Sequence, residues 1–526
     1  MNRPPNVLLL ILLAVATANF SWASDIYVAQ NKAGGDTGAD CADAHSAAWF
    51  NSAANWGSGA SQVGPGTTVH LCGTFAGAAG STMLTTQGSG TTGNPITILF
   101  ESGALFKAPY WSANGAIRIP NNFITLDGGT NGTIENTLNG TAGGACLGGA
   151  CTQQQSSEGV IATGNNVTIQ NLIVTHIYVH TEDVIDTAGD ANTGIETDGS
   201  NSLVTHNTVD NVYTGIVNGG TNISNIEFSF NTLTFCNHCM KSAISSGNVT
   251  GLKMHHNDIS SMYNWDEVDN HYHHNGIFVF ALSGTHTGAM YYNNYIHGVM
   301  SRDAAYGATH VTGWIFLEYG NPGAEVFNNI LESDPDAGGT RLNYPANGYI
   351  TAGGGVGTQH FWNNTIIGGN NGGNCYAGGS TGFDFQNNVL VFCGNPIFMG
   401  SAATSITIDY NDYYNLPGDG WANGGGVQTN FATWKSSCAC DAHSQLGNDP
   451  KLDGSYHLQS GSSAIQQGAN LTSLGITLLD SDRAGVGRPG GTCSGQGSAC
   501  NWDEGAYQFS TDPPVNPPTG LAAVVN

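Results

Sequence analysis

Along the middle of the chain one spacing of apolar and polar positions returns in register. It is an apolar residue, two variable residues, asparagine, one residue, then a second apolar residue. The pattern reads Val204-Thr-His-Asn207-Thr-Val209, Phe228-Ser-Phe-Asn231-Thr-Leu233, Met254-His-His-Asn257-Asp-Ile259 and Tyr291-Tyr-Asn-Asn294-Tyr-Ile296. It continues at Val326…Asn329…Leu331, Phe361…Asn364…Ile366, Phe385…Asn388…Leu390 and Ile408…Asn411…Tyr413, and a weaker copy ends at Asn171-Leu-Ile173. Successive asparagines, counted from Asn171, lie 36, 24, 26, 37, 35, 35, 24 and 23 residues apart. A step near 24 fits one turn of a solenoid of short strands with Gly and Asn at its corners, and the longer steps are the same turn carrying about eleven extra residues.

Each turn also holds a second strand, seen in Gly194-Ile-Glu-Thr, Gly215-Ile-Val-Asn, Gly276-Ile-Phe-Val-Phe, Trp314-Ile-Phe-Leu and Gly348-Tyr-Ile-Thr. Asparagine suits the repeated corner because it tolerates left-handed backbone angles and its amide can bond the turns above and below. The apolar positions beside it are expected to stack as columns inside the coil.

With this repeat the sequence resembles the right-handed parallel β-helix proteins of the pectate-lyase-like superfamily. Asp25-Ile-Tyr-Val-Ala-Gln and Gly66-Thr-Thr-Val-His-Leu-Cys-Gly-Thr look like the N-terminal cap of secreted members, and Pro95-Ile-Thr-Ile and Asn122-Phe-Ile-Thr-Leu-Asp-Gly-Gly like their first coils. Asn448-Asp-Pro-Lys-Leu, Asp482-Arg-Ala-Gly-Val-Gly-Arg-Pro and Asp503-Glu-Gly-Ala-Tyr are similar to the closing segment of bacterial extracellular β-helices. The resemblance implies an all-β, single-stranded right-handed parallel β-helix solenoid with capped ends. It divides the chain into a cap and first coil at 24–95, coils at 96–430, and a capping segment at 431–510 that seals the open end. A Pro-rich linker or tail follows at 511–526, where Thr519-Gly-Leu-Ala-Ala-Val-Val looks like the first strand of a fibronectin-type module. The resemblance also implies a polysaccharide ligand. It transfers no catalytic residue, because the Asn-Thr-Asp, Trp-Ile-Asp-His and Asp-Pro-His-Asp motifs of the family's enzymes are missing.

Composition narrows the function classes. The 526 residues include 75 Gly, and 12 Lys+Arg stand against 38 Asp+Glu, a net charge of −26. A chain without cationic surface cannot displace counterions from phosphates, so nucleic acid is excluded as a partner. The N-terminus places Arg3 before the apolar run Val7–Ala16 and small residues at Ser21 and Ala23, which reads as a signal peptide over 1–23 and an extracellular or periplasmic protein. No other segment approaches the ~20 apolar residues of a transmembrane helix, and a monomer is expected.

The 12 cysteines all follow the signal peptide, an even number in an oxidising compartment. Spacing suggests Cys146–Cys151, Cys375–Cys393, Cys493–Cys500 and Cys41–Cys72. Cys236-Asn-His-Cys239 reads as a disulfide ahead of a zinc site, since a second ligand pair is missing. Cys438 and Cys440 are expected to have outside partners, because a bridge across one residue is hard to close.

Candidate chemistry concentrates in the long turns, whose insertions should stack on one face. Those between Asn257 and Asn364 are consecutive, so their loops should stand roughly 5 Å apart as neighbouring walls. The first wall is the run NWDEVDNHYHHNG, with Asp266, Glu267, Asp269, His271, Tyr272, His273 and His274; the second carries Arg302, Asp303, Tyr306 and His310; the third carries Arg341 and Tyr344.

A glycoside hydrolase needs two carboxyls ~5–9 Å apart, for which Asp266, Glu267, Asp269 and Asp303 are the supply. A uronate lyase needs a base such as His271, His273, His274 or His310, an acid such as Tyr272 or Tyr306, and a cation such as Arg302 or Arg341 to clamp the carboxylate. Converging imidazoles and carboxylates are also a metal-ligand set, and acidic loops suit Ca²⁺ or another divalent ion. No cofactor is fixed by the sequence, and the metal is unknown.

Lys241 flanks the cleft from a neighbouring turn, and Trp314, Tyr272, Tyr306 and Tyr344 are candidates to contact sugar. The net charge repels anionic polymers at long range, which keeps neutral glycans open. The expectation is an exported protein that cleaves a polysaccharide, by elimination or hydrolysis, in a cleft along the helix face. The alternative is a non-catalytic glycan-binding or adhesion protein at the cell surface.

Overall fold

In the computed structural model, which describes residues 25–139, 155–178, 192–262, 274–298, 313–333, 348–353, 357–369, 373–379, 381–417, 420–489 and 501–510, each turn of the chain lays down three short strands. Like strands from successive turns pair in parallel, one above the next. The first face runs through Val167–Gln170, Ser202–Thr205, Ile226–Ser229, Lys253–His255, Met290–Tyr292 and Glu325–Phe327 to Ser405–Asp409. The second follows the asparagine corner, through Asp258–Ser260, Tyr295–His297 and Ile330–Glu332. The third holds the Gly-Ile strands Ser157–Ala162, Asn192–Thr197, Asn275–Thr287, Gly313–Glu318 and Ile350–Gly353. Thr208–Asn218 and Thr232–Thr250 each run unbroken from the second face to the third. This is a parallel β-helix, as the repeat and the resemblance implied.

Strand alternation sends every second side chain inward, and the register stacks those side chains. Val204, Phe228, Met254, Tyr291, Val326 and Phe361 are in register on the first face, and Val209, Leu233, Ile259, Ile296 and Leu331 on the second. Ile195, Ile216, Met240, Ile277, Ile315 and Ile350 do the same on the third. All of them are buried in one continuous core.

The asparagine column is a hydrogen-bonded ladder. The backbone N–H and the Nδ2 of Asn231 both donate to Asn257 Oδ1, at 3.0 and 3.1 Å, and Asn257 repeats this toward Asn294 at 3.1 and 3.0 Å. Each Nδ2 also donates backward to a carbonyl of the preceding turn, as from Asn257 to Phe228 at 3.0 Å. The ladder runs from Asn207 to Asn411, where Ser444 Oγ replaces the next asparagine and accepts the Asn411 N–H at 2.9 Å.

Two expectations are corrected here. The left-handed corner is taken by the residue before the ladder asparagine: His206, Phe230, His256, Asn293, Asn328, Asn363, Asn387 and Tyr410 have φ between 52° and 60°. Asn171 is itself such a corner residue (φ 58°), and Leu172 holds the ladder position, donating its N–H to Asn207 Oδ1 at 3.0 Å.

Both ends are closed. The first strand, Asp25–Ala29, already pairs with Thr68–Cys72, and its other edge is covered by His45–Ser46, which leads into the helix Ala47–Phe50. At the far end the helix Phe431–Cys438 places Trp434 over Trp421, with ring centroids 6.4 Å apart. The segment after Leu446 runs back along the outside of the coil. Its backbone accepts hydrogen bonds from the corner asparagines: Asn328 to Ser481, Asn363 to Asp503 and Asn387 to Ala469, at 2.9–3.0 Å. Leu471, Leu479 and Trp502 cover Tyr292, Phe327 and Trp362 on the outer surface of the first face.

Cys41–Cys72, Cys236–Cys239 and Cys375–Cys393 are disulfides as expected. Cys438 and Cys440 bond each other, contrary to expectation, with Cα atoms 5.2 Å apart. The short ring closes because Ala439 between them takes a left-handed conformation (φ 52°, ψ 41°). Cys146, Cys151, Cys493 and Cys500 lie outside the described residues. Among the described residues no helix is long and apolar enough to cross a membrane.

Candidate active site

The third face owes its shape to a register position held by glycine in four turns, Gly159, Gly194, Gly215 and Gly276, and by Cys239 and Trp314 in others. A Cβ on Gly159 would lie 2.5 Å from the carbonyl oxygen of Gly194, one on Gly194 2.7 Å from that of Gly215, and one on Gly276 2.8 Å from that of Trp314. Only glycine lets the turns approach this closely. Past the glycine, the inward isoleucine column fixes which residues face outward: Arg118, Ile161, Glu196, Val217, Lys241, Phe278 and Phe316 stand in register along the outer surface.

Three carboxyl groups meet on this surface. Glu158, next to Gly159, is only 7% exposed, and its carboxyl is hydrogen-bonded to that of Glu196 from the following turn. Glu196 is hydrogen-bonded in turn to Asp198. Asp198 Oδ1 accepts the Gly219 N–H at 2.9 Å, and a Cβ on Gly219 would lie 3.4 Å from both this oxygen and Glu196 Oε1. The two carboxylates therefore converge over one glycine.

Burial, then the charge of Glu196, pushes the Glu158 carboxyl up to about 9. Burial and the charge of Asp198 push Glu196 up to about 7, against the opposing pull of its bond to Glu158 and the charge of Lys241. At neutral pH Glu158 thus holds its proton beside groups able to accept one, which is the separation of roles that acid–base catalysis uses. The second oxygen of Glu158, Oε2, is buried without a hydrogen-bond partner.

Aromatic rings extend the face beyond Lys241, whose Nζ lies 6.0 Å from the Phe278 ring centre. Phe278 stacks between His238 at 5.1 Å and Phe316 at 5.4 Å. At the rim, Phe280 meets Tyr319, which is 45% exposed, and Leu282 is 64% exposed.

Of the residues singled out in the sequence, Asp266, Glu267, Asp269, His271, Tyr272, His273, Arg302, Asp303, Tyr306, His310, Arg341 and Tyr344 lie outside the described residues. Lys241 is on the face. His274 is fully buried where strand Asn275–Thr287 begins. Trp314 is corrected: it is a core residue, fully buried and stacked on Tyr349 at 4.1 Å, so it has no surface for sugar.

Sequence reasoning missed Glu158, Glu196 and Asp198. The available signal was register: Glu196 follows Gly194-Ile195 as Lys241 follows Cys239-Met240, so an acid and a base occupy one outward column. Among the described residues no three His, Cys, Asp or Glu side chains converge as metal ligands.

No protein-family model matches the sequence, and no curated protein matches it. Among solved structures, pectate lyase Pel9A is similar at 14% identity and a TM-score of 0.39, covering 94% of this chain and 98% of that one. The GH136 lacto-N-biosidase from Eubacterium ramulus is similar at 12% identity and a TM-score of 0.42 as its selenomethionine derivative, and at 10% and 0.35 as the native protein. Both comparisons cover 74% of this chain and 64% of that chain, so the likeness spans less than two thirds of the lacto-N-biosidase. The chemistry of the face rests on its own residues.

Proposed function

We propose that the protein is an exported glycan-cleaving enzyme that hydrolyses a neutral polysaccharide on the outer surface of the Gly-Ile face. The observation that carries this reading is the buried, proton-holding Glu158 hydrogen-bonded to Glu196 beside Asp198. Glu158 is the proton donor to the departing sugar oxygen. Asp198, oriented by the Gly219 N–H, is the carboxylate that activates water. Because Glu196 bonds to both, it stands between them, which favours a donor and base separated by more than one hydrogen bond, as the ~5–9.5 Å spacing of glycosidase carboxyl pairs requires.

Hydrolysis is favoured over elimination by the charge at the site. Arg118 and Lys241 each stand two turns from Glu196, roughly 10 Å along the face at strand spacing. A uronate there would meet three acidic groups first. Export is supported by the signal-peptide pattern at 1–23 and by four disulfides among the described residues, which persist in oxidising compartments. The segments carrying Asp266–His273, Arg302–His310 and Arg341–Tyr344 lead directly into the strands Asn275–Thr287, Gly313–Glu318 and Ile350–Gly353. We assign their carboxylates, imidazoles and guanidinium groups to the walls of the same cleft.

The test is to incubate the protein with neutral and acidic polysaccharides, following both reducing ends and the ultraviolet absorbance of unsaturated products. Reducing ends from neutral glycans are expected, and Glu158→Gln should lower their rate by about 100-fold or more with thermal unfolding retained. Undiminished cleavage by the folded variant removes Glu158 from the reaction. Unsaturated products assign elimination instead, and binding without cleavage leaves a glycan-binding protein.

A further inference from the structure

The outer surface of the Gly-Ile face carries a second column, beside the one that holds Glu196 and Lys241. It begins at Asp198, whose carboxylate accepts the Gly219 N–H. Register then places Ala243 beside Gly219 and Phe280 beside Ala243. Glu318, Gly353 and Gly379 follow in the next three turns. The column runs along the coil for six steps, roughly 30 Å at strand spacing.

Three of its positions are glycines that the chain itself does not require. None of Gly219, Gly353 and Gly379 has a left-handed backbone. A Cβ on Gly379 would meet no atom of the described residues within 4 Å, and one on Gly353 only the Phe316 ring at 3.9 Å. One on Gly219 would reach only the carboxylate oxygens of Asp198 and Glu196, at an ordinary contact distance of 3.4 Å. Gly159, Gly194 and Gly276 on the same face are the opposite case, because a carbonyl oxygen of the next turn leaves their side chain no room. Where neither a left-handed angle nor packing calls for it, glycine only loses backbone entropy relative to alanine. The remaining reason for a bare backbone at a strand is the close approach of another molecule.

Ala243 adds a single methyl group, so the surface between the carboxyls and Phe280 is a shallow groove with Lys241 along one side. Phe280 is the step midway. Its ring meets that of Tyr319 edge-on at 6.1 Å, and Tyr319 and Leu282 beside it are 45% and 64% exposed.

Resting on the reading of this face as glycan-cleaving, we propose that the groove holds an extended neutral β-1,4-linked glycan along the helix axis, with an apolar ring face on Phe280 and Tyr319. A straight column with a uniform step suits a chain whose linkages are equatorial at both ends of each ring, because such a chain is a flat ribbon. It advances by about one ring per turn of the coil. Its ring faces are lined by C–H groups, which match aromatic side chains. Asp198 and Glu318 stand in the column itself, so a polyanion is repelled where a neutral chain is not. Such a groove reads the length of the chain rather than its end.

The full chain is assayed for reducing ends on a soluble β-1,4-linked glucomannan and on its oligosaccharides of two to six rings, and binding of the polymer is measured by calorimetry. KM is expected to fall as rings are added. Gly379→Leu should unfold at the same Tm as the natural protein, since nothing described in the chain occupies that space. It should raise KM for the polymer about tenfold while kcat holds, the signature of binding shared by ground and transition states. Ala243→Leu, nearer the carboxyls, should raise KM already for the short oligosaccharides. A lower Tm in Gly379→Leu shows that this glycine serves the fold and overturns the proposal, as does an unchanged KM for the polymer. Failure to bind glucomannan also overturns it, and cleavage of a different neutral glycan would then leave the hydrolase reading in place. Glucomannan that is bound but not cleaved, and whose binding Gly379→Leu weakens, supports the groove and removes the hydrolase instead.

Discussion

Glu158 and Glu196, from successive turns of the coil, hold a hydrogen bond between their carboxyl groups, and that bond exists only while one of them keeps a proton. The pair therefore ties folding to pH. Glu158 is raised from 4.5 to about 9 and Glu196 from 4.5 to about 7, so the folded state retains protons that the unfolded chain releases above about 4.5. Stability from these groups is fully present below that pH and is lost as pH rises through 7 toward 9. Thermal unfolding scanned from pH 5 to 9 should show a falling Tm, with a shallower fall in Glu158→Gln. A Tm that rises across this interval in the natural protein would contradict the shared proton.

The same pair sets the pH dependence of cleavage. The rate should decline on the alkaline side as Glu158 loses its proton near pH 9, and on the acid side as Glu196 gains one below about 7. Glu196→Gln should move the alkaline limb downward, because removing the neighbouring charge removes one cause of the high Glu158 value. An unchanged alkaline limb in that variant would mean that the group titrating there is not Glu158.

Gly215 shows how closely the turns are packed beneath this chemistry. A methyl group there would collide with the Cys239 carbonyl and lie 2.6 Å from Leu233 Cδ2. Gly215→Ala should cost about 1–3 kcal/mol through overpacking, measured by denaturant unfolding. By separating the turns that carry Glu196 and Lys241, it should also lower activity. A neutral effect on stability would show that the coil can relax at this level.

Such glycines explain why the architecture was legible. The Gly-Ile pairs of several turns and the Asn column are local signals that recur because successive turns meet similar steric and hydrogen-bonding demands. Where the repeat was misread, at Asn171, a second physical role was responsible: asparagine also suits the left-handed corner, one residue before the ladder position. The acid cluster was hidden for a different reason. Glu158 and Glu196 are brought together across a long turn, and neither has a spacing of its own to announce it. The closing segment was recognised by its motifs, but its course depends on partners far away in sequence, Asn328, Asn363 and Asn387.

The ladder offers a direct comparison between interior and end. Asn257 Oδ1 accepts two donors from Asn231, while its Nδ2 serves Asn294 and the Phe228 carbonyl. Asn257→Ala leaves all of these buried groups short of a partner, and at about 1–3 kcal/mol for each unsatisfied group the loss should reach several kcal/mol. Ser444→Ala removes a single acceptor, that of the Asn411 N–H, and should cost about 1–3 kcal/mol. Equal losses in the two variants would mean that the ladder bonds do not reinforce one another.

Arg488 is the buried cation that fastens the returning segment to the coil. Its Nη2 donates to Asn328 Oδ1 at 2.9 Å and to the Gly505 carbonyl at 3.2 Å, and its Nη1 reaches Gln508 Oε1 at 3.3 Å. The guanidinium also offsets the charges of Asp482 and Asp503, whose carboxyls burial pushes up. Arg488→Met keeps much of the volume but leaves those acceptors uncompensated, at about 1–3 kcal/mol for each buried group left unsatisfied. Because the contacts join the segment to the outside of a coil with its own continuous core, the loss should fall on docking more than on the coil. Limited proteolysis should then cut within 448–489 faster than in the natural protein while the coil resists. Lysine at this position restores the charge without the planar fork, so Arg488→Lys should recover only part of the protection. If both variants resist cleavage like the natural chain, the segment is held by the apolar contacts of Leu471, Leu479 and Trp502 instead.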